Sequence, residues 1–118
     1  MPTETYKTLD LNNSLQLVNS KNSKLKAVFI HNRSRSMCWV KLWNAKNLVD
    51  VNFGVTPSTM TLSASSSFLA NGTEFASIYY LQDLVFNNGI IMAATKGWRD
   101  SDIEGFEVNS ILGNILFD

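Results

Sequence analysis

The stretch "MCWVKLWNA", residues 37–45, sets Trp39 and Trp43 four positions apart with Lys41 midway between them. Its aromatic and β-branched content favours a strand over a surface helix. In a strand, successive side chains alternate between faces. Trp39, Lys41 and Trp43 then share one face, and Cys38, Val40, Leu42 and Asn44 share the other. The second face is dry and of medium size, which suits the inside of a sandwich. The first carries a charge, so it reads as a face outside the sealed core.

Working outward, the same style of segment recurs. "KLKAVFIHN" precedes the stretch, and the turn "NRSRS" between them suggests an antiparallel hairpin with a loop of about four residues. "SLQLVNS" reads as a short first strand. "KNLVDVNFGVTPS" is punctuated by Gly54 and Pro57 and reads as a loop with a short edge segment. "TMTLSASSS" alternates Met60 and Leu62 against Thr59, Thr61 and Ser63, a half-buried strand. An Asn-Gly turn signal stands at Asn71–Gly72. "SIYYLQDLVF" is strand-like through Tyr80, and "IIMAAT" is apolar at nearly every position, as a central strand buried on both sides requires. "KGWRDSDIEGFE" is a long polar loop, and "NSILGNILFD" puts Ile111, Ile115 and Phe117 on one face and Leu112 and Leu116 on the other. Strands at spacings of roughly ten residues predict an all-β, single-domain antiparallel β-sandwich, jelly-roll-like, with about seven or eight strands. Residues 14–118 form that domain, and the polar residues 1–13 are expected to be an extended arm that orders on a neighbouring subunit.

Composition narrows the function classes. Ten basic residues balance ten acidic ones, which argues against a nucleic-acid binder held by phosphate contacts. Arg33 and Arg35 could form a local basic patch, but a solvated loop is the plainer reading. Charged residues make up 17% of the chain against roughly 25% in typical soluble domains. A surface short of charge suits assembly with other subunits. The N-terminal segment lacks the apolar region of a signal peptide, and no run approaches the roughly eighteen apolar residues of a membrane span. The expectation is a protein made and kept in a cytoplasm, or released from one by lysis, with no membrane partner.

Chemistry is thin. His31 is the single histidine and Cys38 the single cysteine. They flank one loop, but a nucleophilic cysteine needs an electropositive, partly exposed setting and an orienting third group. "DSDIEG" places Asp100, Asp102 and Glu104 at alternate positions, like the first half of a calcium loop. The twelfth position, which should be a bidentate glutamate, is Ile111. A solvated acidic turn is the preferred reading, and no cofactor or metal is expected. The chain does not read as an enzyme.

The Trp-Lys-Trp face admits three readings. Other segments of the same chain cover it and Lys41 snorkels to water; it meets another subunit, with the indoles as anchors; or its rings stack on sugar. Trp39, Lys41, Trp43 and Trp98 are the interface candidates, Trp98 being the ring expected to be exposed in its acidic loop.

"WVKLWNAKN" resembles a segment of small virion proteins of tailed bacteriophages, in which an aromatic-Val-Lys-Leu-Tyr-Asn strand follows a strand ending in an Asn-rich turn. "NNGIIMAATKGWRDSD" and the closing "GNILFD" are similar to that family's Gly-Ile-x-x-Ala-x-Thr strand, Asp-Ser-Asp turn and final hydrophobic strand. The likeness spans residues 24–118 in pattern and is close in those three blocks. It departs at "TPSTMTLSA", where the family carries Thr-Pro-Val-x-x-Ile, and at "FLANGTEFASIYY". The resemblance implies a non-enzymatic virion structural protein. Its most direct role is a capsid decoration or cement protein on the major capsid protein, as a homo-oligomer with a trimer favoured. The alternatives are a neck, tail or fibre component, including a carbohydrate-binding host-recognition module.

Overall fold

The computed structural model describes residues 3–67 and 76–118. The turn signal at Asn71–Gly72 lies outside the described residues. Among the described residues, eight strands run in chain order: β1 Glu4–Thr8, β2 Gln16–Asn19, β3 Ser23–Asn32, β4 Cys38–Asn44, β5 Met60–Ala64, β6 Ser77–Phe86, β7 Ile90–Thr95 and β8 Ile111–Phe117. A 3₁₀ turn, Leu48–Asp50, follows β4. The strands form two four-stranded antiparallel sheets, ordered β1-β8-β3-β6 and β2-β7-β4-β5. The first strand pairs with the eighth, the second with the seventh, the third with the sixth and the fourth with the fifth. That nesting is one long antiparallel ribbon folded over on itself, the winding of a jelly roll.

The alternation read from the sequence decides which side chains meet between the sheets. Val28 and Ile30 of β3 and Ile111, Ile115 and Phe117 of β8 face Cys38, Val40 and Leu42 of β4, Leu62 and Ala64 of β5, and Ile90, Met92 and Ala94 of β7. These side chains form one continuous buried cluster. Removing this apolar surface from water is the main favourable term for the fold.

Two expectations fail, and each failure has a physical cause. β3 and β4 are not a hairpin. β3 pairs with β6 and β8, while β4 pairs with β5 and β7, so "NRSRS" carries the chain from one sheet to the other. The buried Asn32 holds this corner. Its amide donates to the carbonyls of Ser36 and Ala64, both at 2.9 Å, and its side-chain oxygen accepts from the Ser34 N–H at 2.9 Å. Both strands need their apolar sides inside, and placing them in facing sheets buries those sides against each other.

The stretch read as an arm is part of the sandwich. Glu4–Thr8 lies along β8 as the edge strand β1. Just beyond it Leu11 is fully buried, its N–H donating to the Ile111 carbonyl at 2.9 Å. The Leu11 side chain packs over Gly113 of β8. The segment's apolar residues Tyr6, Leu9 and Leu11 are too few and too unevenly spaced to make a periodic signal, so the pattern misses it.

Leu11→Ala is expected to cost about 2–5 kcal/mol of stability, as other large-to-small core changes do. Leu9, 73% exposed, is the matched control, and Leu9→Ala should stay within about 0.5 kcal/mol. Urea unfolding of the two variants checks this; equal midpoints would show that the N-terminal segment does not hold the core.

Candidate functional site

The outer side of the β2-β7-β4-β5 sheet is largely covered. Its rows read outward as Trp39, Lys41 and Trp43 on β4, with Thr95, Ala93 and Ile91 opposite them on β7. The segment after β4 and the loop between β7 and β8 fold over these rows. Trp43, Ala45, Val51, Ile91 and Ala93 form a second small core, with Leu15 and Phe53 packed on it. This explains why "IIMAAT" is apolar throughout: β7 is buried on both faces. Trp43 packs edge-on against Phe53, with ring centroids 6.2 Å apart, and its indole N–H donates to the Thr56 carbonyl at 3.0 Å.

Lys41 is also sealed, at 0% exposure. The expectation of a wet, snorkelling lysine is overturned. Its ammonium reaches into the loop after β7 and donates to the backbone carbonyls of Arg99 and of Asp102, the latter at 2.8 Å. Burial pulls its pKa below the ordinary 10.5, while the nearby Asp102 and Asp100 carboxylates pull it back up. A lysine can be buried here because carbonyl acceptors replace the water it loses.

The acidic loop is built around that contact. Asp102 Oδ2 accepts from the Arg99 N–H at 2.9 Å, and the Asp102 N–H donates to the Arg99 carbonyl at 3.0 Å. Asp100 Oδ1 accepts from the Ser58 N–H at 3.0 Å, tying this loop to the one before β5. Those Ser58 hydrogen bonds hold the Asp100 carboxyl below the usual carboxylate range, with Lys41 adding to the effect. Glu104 pairs with Lys96 at 3.6 Å. The three acids of the calcium-like half-motif therefore serve different partners. Among the described residues no group of three or more His, Cys, Asp or Glu side chains could hold a metal ion.

Two tryptophans remain at the surface. Trp39, half-buried on β4, and Trp98, 60% exposed, line a groove of about 460 Å³ together with Ser58, Thr61, Arg99 and Asp100. The Arg99 guanidinium lies 5.5 Å from the Trp98 ring centroid. The cation that meets this indole is thus Arg99. Of the four candidates named from sequence, the structure brings Trp39 and Trp98 together and buries Lys41 and Trp43 within the chain. Sequence reading missed Ser58, Thr61, Arg99 and Asp100 as groove residues. Thr61 carried a signal: it is the β5 partner of Lys41 and so shares its outward face. The others depend on how two loops fold.

Cys38 and His31 do not form a pair. Cys38 is sealed in the core between the sheets, and His31 lies on β3 in the other sheet, opposite Leu112. Burial pushes the Cys38 thiol up to about 12. Arg33 and Arg35 line a second cleft, of about 410 Å³, with Lys96 and Glu107. No helix among the described residues is long and apolar enough to cross a membrane. Comparison with protein-family models, with curated proteins and with solved structures finds no match for this chain.

Lys41→Met keeps the packing volume but leaves two carbonyls without their donor. A loss of about 1–3 kcal/mol is expected, with faster amide hydrogen exchange confined to residues 98–102. Unchanged exchange there would show that the loop is held by other contacts. The Cys38 thiol, raised in the folded state, contributes stability that is complete below its unfolded value of 9.0 and is lost as pH rises towards about 12. Wild type should therefore lose stability over that alkaline window relative to Cys38→Ala. A thiol reagent near neutral pH should label Cys38 only after denaturant unfolds the chain.

Proposed function

We propose that this chain is a non-enzymatic structural subunit of a tailed-phage particle, a decoration protein that binds the assembled head as a homo-oligomer. The observation that carries the reading is the outer face of the β1-β8-β3-β6 sheet. There Tyr80 is 74% and Ile78 46% exposed on β6, beside Phe29 and Ala27 of β3, with Leu112 and Leu116 on β8. Phe29 and Tyr80 meet edge to face, with centroids 6.3 Å apart. Exposed apolar side chains grouped on a sheet face, here interrupted by Asn114 opposite Phe29, are a feature of interaction surfaces.

The edge next to this face is blunted. The β3–β6 register jumps between Leu25–Leu84 and Ala27–Tyr80, and Gln82 and Asp83 bulge there with φ of 47° and 62°. Lys26 pairs with Asp83 at 3.0 Å and with Asp118 at 3.1 Å across the bulge. A bulged, charged edge resists strand addition at β6, and the face beside it is the surface assigned to association. Further support comes from the jelly-roll winding, an architecture shared by viral capsid domains, and from the three blocks that resemble phage virion proteins. A protein that binds only the assembled lattice stabilises it by mass action, and a trimer multiplies weak contacts through avidity. A place at the neck, tail or fibre uses the same surface.

Light scattering on the purified protein should give a mass above that of one chain, with a trimer favoured. Ile78→Asp, at an exposed site, should return a folded monomer. Mass spectrometry of phage particles purified from the producing culture should detect the chain at structural stoichiometry. A wild-type monomer that is also missing from purified particles would overturn the proposal.

A further inference from the structure

We propose that the groove between Trp39 and Trp98 binds a neutral sugar ring, as one residue of a glycan. The groove lies on the opposite sheet from the apolar face assigned to assembly, so the two surfaces are independent. Its volume of about 460 Å³ falls within the roughly 300–1,000 Å³ typical of small-ligand sites. Its chemistry is two-sided. The indoles of Trp39 and Trp98 supply flat apolar walls, and the hydroxyls of Ser58 and Thr61, the Asp100 carboxylate and the Arg99 guanidinium supply donors and acceptors. A pyranose has the matching form: C–H bonds on one face and hydroxyls around the rim.

Charge selects among aromatic-binding ligands. Arg99 and Asp100 are adjacent and of opposite sign, so the groove offers no net charge to an anion or a cation. A nucleobase could stack on the same rings, but single-stranded nucleic acid needs a positive groove to follow its backbone. A neutral polyol uses both members of an acid–base pair as hydrogen-bond partners without either being left over.

The site is also preorganised. Lys41 holds the carbonyls of Arg99 and Asp102, and Ser58 holds Asp100. Trp98 therefore stands exposed on a loop that is pinned from beneath, which lowers the ordering cost of binding. The Ser58 and Thr61 hydroxyls lie 3.0 Å apart and already bond to each other, fixing two rim oxygens.

The test uses the full-length protein, saturation-transfer NMR and tryptophan emission. The probes are glucose, galactose, mannose, N-acetylglucosamine, cellobiose, maltose and chitobiose. At least one should give a saturable response. Trp98→Ala should weaken it at least about tenfold, the scale of one lost aromatic contact. Trp98→Phe should fall between the two, and Ile78→Asp, on the far sheet, should bind as wild type does. Circular dichroism checks that each variant is folded, which exposure of Trp98 favours. If none of these sugars gives a saturable response, or if Trp98→Ala binds unchanged, the proposal fails. It fails equally if the emission moves only with protein concentration, because the groove is then a contact between copies.

Discussion

The Lys41 ammonium, sealed against the outer side of a sheet, is the contact on which the groove depends. It is bonded to two backbone carbonyls of one loop, Arg99 and Asp102. A buried cation without such acceptors would be costly, so the loop has to close over it in one arrangement. Closing sets the positions of Trp98, Arg99 and Asp100, and through the Asp100–Ser58 hydrogen bond it also fixes the loop before β5. The second small core beneath these loops adds apolar burial around Trp43. Polar pinning and apolar packing act together: the first chooses the loop conformation and the second stabilises it.

The two sheets consequently have different outer sides. The outer side of β2-β7-β4-β5 is roofed by its own loops and shows water a groove with mixed polar and aromatic walls. On the outer side of β1-β8-β3-β6, Ile78 and Tyr80 of β6 are exposed. A jelly roll has two sheet faces to offer, and this chain has given each a separate character. The Gln82–Asp83 bulge completes the division by bending the edge of the open sheet.

Much of the fold was legible in the residues. Period-two alternation in "TMTLSASSS" and "NSILGNILFD" reports which side chains enter the core, because each of those strands has one buried face. "IIMAAT" announces burial on both faces for the same reason. The site was half legible. Trp39 and Trp98 could be named as candidates, because large aromatics in a charge-poor chain need a partner. Their meeting could not be read, since 59 positions of sequence separate them and a loop brings them together. Lys41 misled because a charge in a strand is ordinarily a mark of solvent. Nothing local shows that two carbonyls far along the chain will replace that solvent.

The amino-acid sequence by itself determined the strand segments, their inward and outward parities and the all-β sandwich class. Those properties depend on neighbouring residues and on the alternation of the extended backbone. Tertiary structure alone decided that β3 and β4 lie in opposite sheets, that residues 4–8 complete an edge and that Lys41 is buried. It also decided that the groove unites Trp39 with Trp98. Each of these depends on pairings between segments distant in sequence. The free energy of such pairings comes from whole buried surfaces and from hydrogen bonds to backbone groups, which no side-chain pattern records.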